Sequence, residues 1–266
     1  MRAQASRSKN GKLDCGLRRR VCTYVLAVCF VWAAAHVTPA DAYRPFDGTD
    51  AAVADEHEFE LELGPLGYLR EGPAKSLIVP AVVANYGLGD DRELVLEGKV
   101  VRRIGDIGGE ARTSLVDDAL SIKQVLRRGV LQDLSGVSIA TECGVLLPTI
   151  HAESGTGGTC ALIGSQRWSA VTMHLNGALT FTRDHHWSRF IGLITEGPAD
   201  WTVRPAVEVL AENEVDGPRT RSALVGLIWR ASETLAFDVG ARYARSDDVN
   251  VREIRAGLTW TPSAAK

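Results

Sequence analysis

The stretch Val251–Trp260 reads V-R-E-I-R-A-G-L-T-W, and from Glu253 onward its apolar side chains fall on every second position. Ile254, Ala256, Leu258 and Trp260 share one parity, whereas Glu253, Arg255, Gly257 and Thr259 share the other. Because successive side chains of a β-strand point to opposite faces, this strand is apolar on one face and charged on the other. A strand of a soluble β-sandwich alternates in the same way, so the fold depends on how often the pattern recurs.

The alternating pattern recurs about twelve times between Glu58 and Trp260. The predicted strands are Glu58–Leu63, Ser76–Tyr86, Glu93–Arg103, Ser114–Leu126, Val137–Leu147, Thr159–Arg167, Ala170–Thr182, Ser188–Glu196, Asp200–Glu212, Thr220–Arg230, Leu235–Arg245 and Val251–Trp260. About twelve two-faced strands are typical of a single transmembrane antiparallel β-barrel, an all-β domain with lipid outside and water inside.

Composition and charge exclude several other classes. A hydrophobic content of 45% is sufficient for folding and argues against disorder, and 26 glycines suit a protein of strands and turns. A formal net charge of -3 provides no overall attraction to nucleic acid, so no nucleic-acid partner is expected.

The N-terminal region has the pattern of a secretory leader. Arg18, Arg19 and Arg20 precede the apolar run Val21–Ala35, and Ala40-Asp41-Ala42 forms an A-x-A cleavage site. We therefore predict a signal peptide over residues 1–42 and a barrel domain over residues 43–266, with an uncleaved anchor as the alternative. Cys143 and Cys160 remain in the mature chain, in a compartment that permits disulfides; whether they pair is left open.

The connections and the aromatic residues predict an orientation in the bacterial outer membrane. Links from even to odd strands are mostly short, as periplasmic turns are, and the link at Leu126–Gly136 is the exception. The segment ends assigned to the periplasmic side carry aromatic residues, which would form an interfacial girdle: Tyr86, Trp168, Trp201, Trp229 and Trp260.

Local signals predict four further features. Glycine and proline predict a loop over Gly64–Lys75 and a turn over Gly87–Asp91. Pro205 predicts a bulge, because it removes a ladder hydrogen bond. Asp118 does not fit the alternation of its strand and is placed near the rim.

The inward parity carries charges of both signs and predicts a polar lumen. The candidate lumen-lining residues are Glu58, Glu60, Glu62, Glu97, Lys99, Asp117, Lys123, Glu142, His174, Asn176, Arg204, Glu208, Asp238, Arg242 and Arg255. Opposite charges on facing walls suit either a narrow polar passage or a salt-bridged plug that closes the barrel, and both interpretations stay open.

No catalytic, metal or cofactor site is predicted. His174 beside Asn176 invites an enzymatic interpretation, but no serine lies in a motif of an activated nucleophile. His185 and His186 with Asp184 are interpreted as a solvated loop, because adjacent histidines on an extended chain point apart.

Four stretches resemble a known family, the outer-membrane barrels labelled for the meta-pathway of phenol degradation. They are Glu58–Gly72 (E-F-E-L-E-L-G-P-L-G-Y-L-R-E-G), Asn85–Asp90 (N-Y-G-L-G-D), Arg112–Asp117 (R-T-S-L-V-D) and Arg252–Trp260 (R-E-I-R-A-G-L-T-W). The resemblance implies a barrel of about twelve strands that passes small, including hydrophobic or aromatic, compounds. The chain departs from such barrels in its end, because Thr-Pro-Ser-Ala-Ala-Lys follows Trp260, and recognition of that aromatic residue by the barrel-insertion machinery is in question.

These observations favour a passive outer-membrane channel for small-molecule solutes. The alternative is a closed structural or surface-interaction barrel. Two further classes are a lipid-acting outer-membrane enzyme and a soluble periplasmic β-protein that binds a ligand.

Overall fold

The computed structural model describes residues 44–105 and 111–262, which form one closed antiparallel β-barrel. Its twelve strands are β1 (Phe59–Glu71), β2 (Ala74–Gly89), β3 (Arg92–Ile104), β4 (Thr113–Arg127), β5 (Ser138–Leu146), β6 (Gly157–Arg167), β7 (Thr172–Phe181), β8 (Trp187–Glu196), β9 (Val203–Glu214), β10 (Arg219–Arg230), β11 (Leu235–Ser246) and β12 (Val249–Trp260). Each strand pairs with its neighbours in sequence, and β12 closes the barrel against β1. The predicted fold class is confirmed.

Two findings concern the chain outside the strands. No helix within the described residues has the length and hydropathy of a membrane span. The predicted signal peptide, residues 1–42, lies outside the described residues.

The two faces of the barrel differ as the alternation predicts. In β12, Ile254 points outward and is 60% exposed, whereas Glu253 points inward and is 7% exposed. In β7, Leu175 and Leu179 point outward, and His174 and Asn176 are buried inside. Apolar side chains exposed over a whole barrel surface fit a hydrocarbon environment, because in water they would form a very large apolar patch.

The barrel has two distinct ends. The proximal end, defined here as the end where β1 begins and β12 ends, carries all five aromatic residues of the predicted girdle. Their side chains are between 40% and 52% exposed, as aromatic residues at a membrane–water interface are: Tyr86, Trp168, Trp201, Trp229 and Trp260. The distal end carries the opposite set of connections, including residues 147–156 between β5 and β6.

The predicted loop over Gly64–Lys75 is wrong. β1 continues to Glu71 and β2 begins at Ala74, so the connection is a turn of two residues. Of the two prolines in the predicted loop, Pro73 lies in the turn, and Pro65 lies at an irregularity of the ladder, where the pairing register shifts between Leu63 and Leu66. A bulge accommodates proline because the extra residue is not paired.

Two other local expectations are corrected. The pairing of β9 with β10 runs through Pro205 without a shift, so there is no bulge there. Pro205 lies beyond the last β8 pair, Glu196 with Ala206, and its carbonyl accepts a hydrogen bond from Gly197. Proline has no backbone N–H, but at this position no residue of β8 is left to accept a hydrogen bond from one. The predicted turn over Gly87–Asp91 is also shorter, because β2 continues to Gly89 and only Asp90 and Asp91 turn, both with positive φ.

The misfit of Asp118 has a structural cause. The register between β3 and β4 shifts between Glu97 and Lys99, and Asp117 opposite has a φ of 60°. This bulge reverses the facing of the strand, so residues on either side of it follow different parities.

Cys143 and Cys160 are directly opposite each other on β5 and β6 and form a disulfide. Both residues are on the outer face of the barrel wall. The question that the sequence left open is thereby answered in favour of pairing.

The outward facing of β7 makes a testable prediction. Leu175→Arg places a charge in hydrocarbon near the middle of the strand and should lower the free energy of unfolding by about 2–4 kcal/mol. Urea unfolding in lipid vesicles, followed by heat-modifiable migration on a gel, measures the change. Ser169→Arg, in the exposed turn before β7, is the matched control and should cost less than about 1 kcal/mol. Equal costs would contradict the assigned facing.

Candidate functional site: a lumen occupied by the chain's own segment

The centre of the lumen contains the chain itself. Residues 44–58, here named the luminal segment, precede β1 and run inside the barrel toward its proximal end. Arg44 lies beside Asp238 of β11, Ala51 beside Ser165 of β6, and His57 donates its backbone N–H to Gly87 of β2. An extended segment without a strand partner must find its backbone hydrogen bonds elsewhere, and here the wall side chains supply them.

Two wall residues hold the backbone of the luminal segment. The Glu208 carboxylate accepts hydrogen bonds from the backbone N–H groups of Asp47 and Gly48, at 2.9 and 2.8 Å. Asn176 both accepts from the N–H of Thr49 at 3.1 Å and donates to its carbonyl at 2.8 Å. The paired contacts of Asn176 resemble those of a neighbouring strand, so the wall substitutes for a sheet partner.

The Asp47 side chain extends to β11 and β12. Its carboxylate lies 2.9 Å from Arg255 and 3.3 Å from Arg242, and Glu253 pairs with the same two arginines at 3.0 and 2.9 Å. Burial by itself raises the pKa of Asp47, but Arg255 and Arg242 outweigh it and hold the pKa of this carboxyl below its ordinary value. Two arginines and two carboxylates thus balance each other's charge inside the barrel.

Lys123 is the centre of a second charged cluster. Its ammonium group lies 3.4 Å from Glu93 and 3.7 Å from Asp50 of the luminal segment, and it donates to the Thr49 hydroxyl at 3.3 Å. Glu93 in turn accepts the backbone N–H of Ala54 at 2.7 Å. A lysine side chain that is only 2% exposed requires such partners, because an isolated charge in a low-dielectric interior is very unfavourable.

Ser165, His174 and Glu196 form a buried chain of polar contacts. The Ser165 hydroxyl lies 2.8 Å from His174 Nδ1, and His174 Nε2 lies 3.4 Å from Glu196, which also pairs with Arg204 at 3.5 Å. The residue types are those of a hydrolytic triad, but Ser165 is 0% exposed and its oxygen accepts the N–H of Ala51. A nucleophile needs access to substrate. This series of polar contacts therefore anchors the luminal segment, through the hydrogen bond from Ala51 to Ser165.

Apolar contacts and small residues of the wall also hold the luminal segment. Phe46 packs against the buried side chains Ala206, Ile228 and Ala236, and Ala51 packs with Ala140 and Ile163. Near the start of the luminal segment, a Cβ atom on Gly240 would lie 2.9 Å from Pro45. At its other end, a Cβ atom on Gly87 would lie 1.8 Å from the Asp55 carbonyl oxygen. Glycine at these two positions lets the segment approach the wall closely.

The long link between β4 and β5 also contacts the luminal segment. It contains a short 3₁₀ helix, Val130–Gln132, and the Gln132 amide donates to the Ala51 carbonyl at 2.9 Å. Leu131 packs on the cluster around Ala51 and donates its N–H to the Ser138 hydroxyl. The link that departs from the short-turn rule is therefore the one that contacts the luminal segment.

The structure places the candidate lumen-lining residues as follows. On the inner face of the strands lie Glu60, Glu62, Glu97, Lys99, Lys123, Glu142, His174, Asn176, Arg204, Glu208, Asp238, Arg242 and Arg255. Two are different: Glu58 precedes β1 and belongs to the luminal segment, and Asp117 lies on the β4 bulge, 58% exposed and paired with Lys99. Sequence reasoning missed Ser165, Glu196, Gln132 and the whole luminal segment, whose only signal was an unassigned polar stretch before β1.

The luminal segment does not fill the lumen. A cavity of about 330 Å³ remains between it and the inner faces of β1–β9. A smaller cavity of about 90 Å³ lies on the other side, bounded by Lys99, Arg242 and Arg255. No group of three or more histidine, cysteine, aspartate or glutamate residues in residues 44–105 and 111–262 is arranged to hold a metal ion.

The hydrogen bonds to the luminal segment make a second prediction. In a chain carrying Ala52→Cys as a probe, the further changes Asn176→Ala and Glu208→Ala should increase labelling by a membrane-impermeant maleimide about tenfold or more. The reason is that lost hydrogen bonds to buried groups cost about 1–3 kcal/mol each. Thr180→Ala, on the same inner face but bonded only to Thr159, is the control. Unchanged labelling would show that these two residues do not hold the segment.

Comparisons with known proteins identify the fold. No protein-family model matches the chain, and no curated protein matches its sequence. The structure is similar to the COG4313 outer membrane channel from Pseudomonas putida F1, with a TM-score of 0.62 at 10% identity over 82% of this chain and 100% of that one. The KdgM porin aligns with a TM-score of 0.49 at 6% identity, over 76% and 98% of the two chains. The CymD monoaromatic hydrocarbon channel aligns with a TM-score of 0.41 at 9% identity, over 77% and 88%. At such low identity the first similarity shows the fold alone, and this chain has the fold of the bacterial outer-membrane β-barrels.

Proposed function

We propose that this protein is a passive channel for small solutes in the bacterial outer membrane, with the luminal segment as a resident constriction. One observation carries the proposal: a cavity of about 330 Å³ with a polar lining lies beside the segment, inside a closed barrel whose outer face is apolar. A polar interior enclosed by an apolar exterior suits passage of water-soluble molecules through lipid. The COG4313 structure, with a TM-score of 0.62, is that of an outer membrane channel, which supports the proposal by analogy of fold.

A closed structural or surface-interaction barrel is the second candidate. It is favoured by the number of contacts that hold the luminal segment, since Glu208, Asn176, Lys123 and Asp47 all join it to the wall. In that case the segment is a permanent plug, and the charges serve stability alone.

The finer features of the proposal rest on the sequence. The resemblance to the meta-pathway barrels supports small permeants, including hydrophobic and aromatic compounds. Trp260 ends β12 at the proximal, periplasmic end, where the barrel-insertion machinery would meet it. The proposal includes no cofactor and no catalytic step.

Planar-bilayer recordings of the full-length protein test the proposal and separate it from the second candidate. We expect small, steady conductance steps, because the cavity beside the segment is narrow. Asn176→Ala combined with Glu208→Ala should increase the conductance severalfold, since loss of about 2–4 kcal/mol of anchoring populates a displaced segment. Thr180→Ala is the control.

Heat-modifiable migration must first show that each preparation is folded. A folded protein that is silent in both forms would overturn the channel proposal and leave the closed barrel. Swelling of vesicles in small neutral solutes and in soluble aromatic compounds then compares the two permeant classes.

A further inference from the structure

The open part of the lumen is strongly acidic. Six carboxylates line the larger cavity, against two cationic side chains, Arg44 and Lys123. The six are Asp47, Glu62, Glu93, Glu97, Glu142 and Glu212. Two further arginines, Arg242 and Arg255, border the smaller cavity.

Both cations of the larger cavity already have partners. Arg44 lies 3.5 Å from Asp238, and Lys123 lies 3.4 Å from Glu93 and 3.7 Å from Asp50. By contrast, four of the cavity's carboxylates have no ion-pair partner among the residues that the structure describes: Glu62, Glu97, Glu142 and Glu212. Carboxyl groups therefore outnumber cationic groups around the cavity, and four of them lie outside any ion pair of the described residues.

Glu62 points independently to a ligand. It is 3% exposed and lines the cavity, yet it forms no hydrogen bond or ion pair within the described part of the chain. By comparison, the neighbouring Glu60 accepts hydrogen bonds from Asn85 and Thr261, and Glu212 accepts one from Ser188. A buried carboxylate without a partner is costly unless a cation or a proton compensates it.

We infer that the cavity between the luminal segment and β1–β9 is a binding chamber for hydrated inorganic or small organic cations, which makes the channel cation-selective. The described carboxylates are not grouped to chelate a bare metal ion. The chamber therefore acts through its field on an ion that keeps its shell of water or of alkyl groups. The selectivity rests on the proposed channel function, whereas cation binding in the chamber does not.

Reversal potentials of the full-length protein in a potassium chloride gradient test the selectivity. We expect potassium to be preferred over chloride roughly fivefold or more. Glu62→Gln should reduce this preference, and the combined change of Glu62, Glu97, Glu142 and Glu212 to glutamine should bring it close to unity. The matched control neutralises four exposed carboxylates at the turns, by Glu71→Gln, Asp200→Asn, Glu233→Gln and Asp248→Asn, and should preserve the preference. A preference for chloride, or equal effects of the two quadruple variants, would overturn the inference.

A binding measurement separates this inference from the channel proposal. Hexaamminecobalt(III), an exchange-inert complex that mimics a hydrated cation, is titrated calorimetrically into the folded full-length barrel in detergent. We expect binding that is lost in the cavity variant and kept in the turn variant. If this binding is observed but the protein gives no conductance in planar bilayers, the channel proposal is overturned and the cation-binding chamber is retained. Binding that is absent, or unaffected by the cavity substitutions, would overturn the chamber.

Discussion

The interior of this barrel depends on one constraint, which is that charged groups taken out of water must meet compensating groups. Glu208, Lys123, Arg255 and Asn176 all point inward from different strands. Lys123 and Arg255 also pair with Glu93 and Glu253 of the wall, and each of the four contacts the luminal segment through a hydrogen bond or an ion pair. The same contacts give the backbone of the segment hydrogen-bond partners, which an extended chain without a neighbouring strand would otherwise lack. The wall and the segment are therefore mutually dependent, and neither is a complete structure without the other.

This arrangement divides the lumen into two unequal parts. On the side of β9–β11 the segment packs closely, with Phe46 against Ala206, Ile228 and Ala236. On the side of β1–β9 it leaves a cavity whose lining includes six carboxylates and two cationic side chains. Both sides nevertheless hold the segment, because Asn176 of β7 and Lys123 of β4 bond to Thr49 from the side of the cavity.

Much of the fold follows from local pattern. The alternation in β7 and β12 predicts which side chains face outward, because strand geometry leaves only two faces and lipid accepts only one kind of residue. Local pattern failed where the ladder is irregular. Pro65 was interpreted as part of a loop, yet it lies within β1 at a shift of the pairing register. Pro205 was interpreted as a bulge, yet it lies where β8 has ended. Whether a proline interrupts a strand depends on the neighbouring strand, which local sequence does not identify.

By itself the sequence determined that the chain is a two-faced barrel of about twelve strands and identified many of the charges that enter its lumen, because these properties depend on the alternation of neighbouring residues. Only the tertiary structure decided what those charges do. Asp47 meets Arg255 across 208 positions of the chain, and Gly48 meets Glu208 across 160. Ser165 and His174 come together because β6 and β7 are paired in one register. Barrel closure brings distant strands within a few ångströms of one central segment, and no local period in the sequence encodes that proximity.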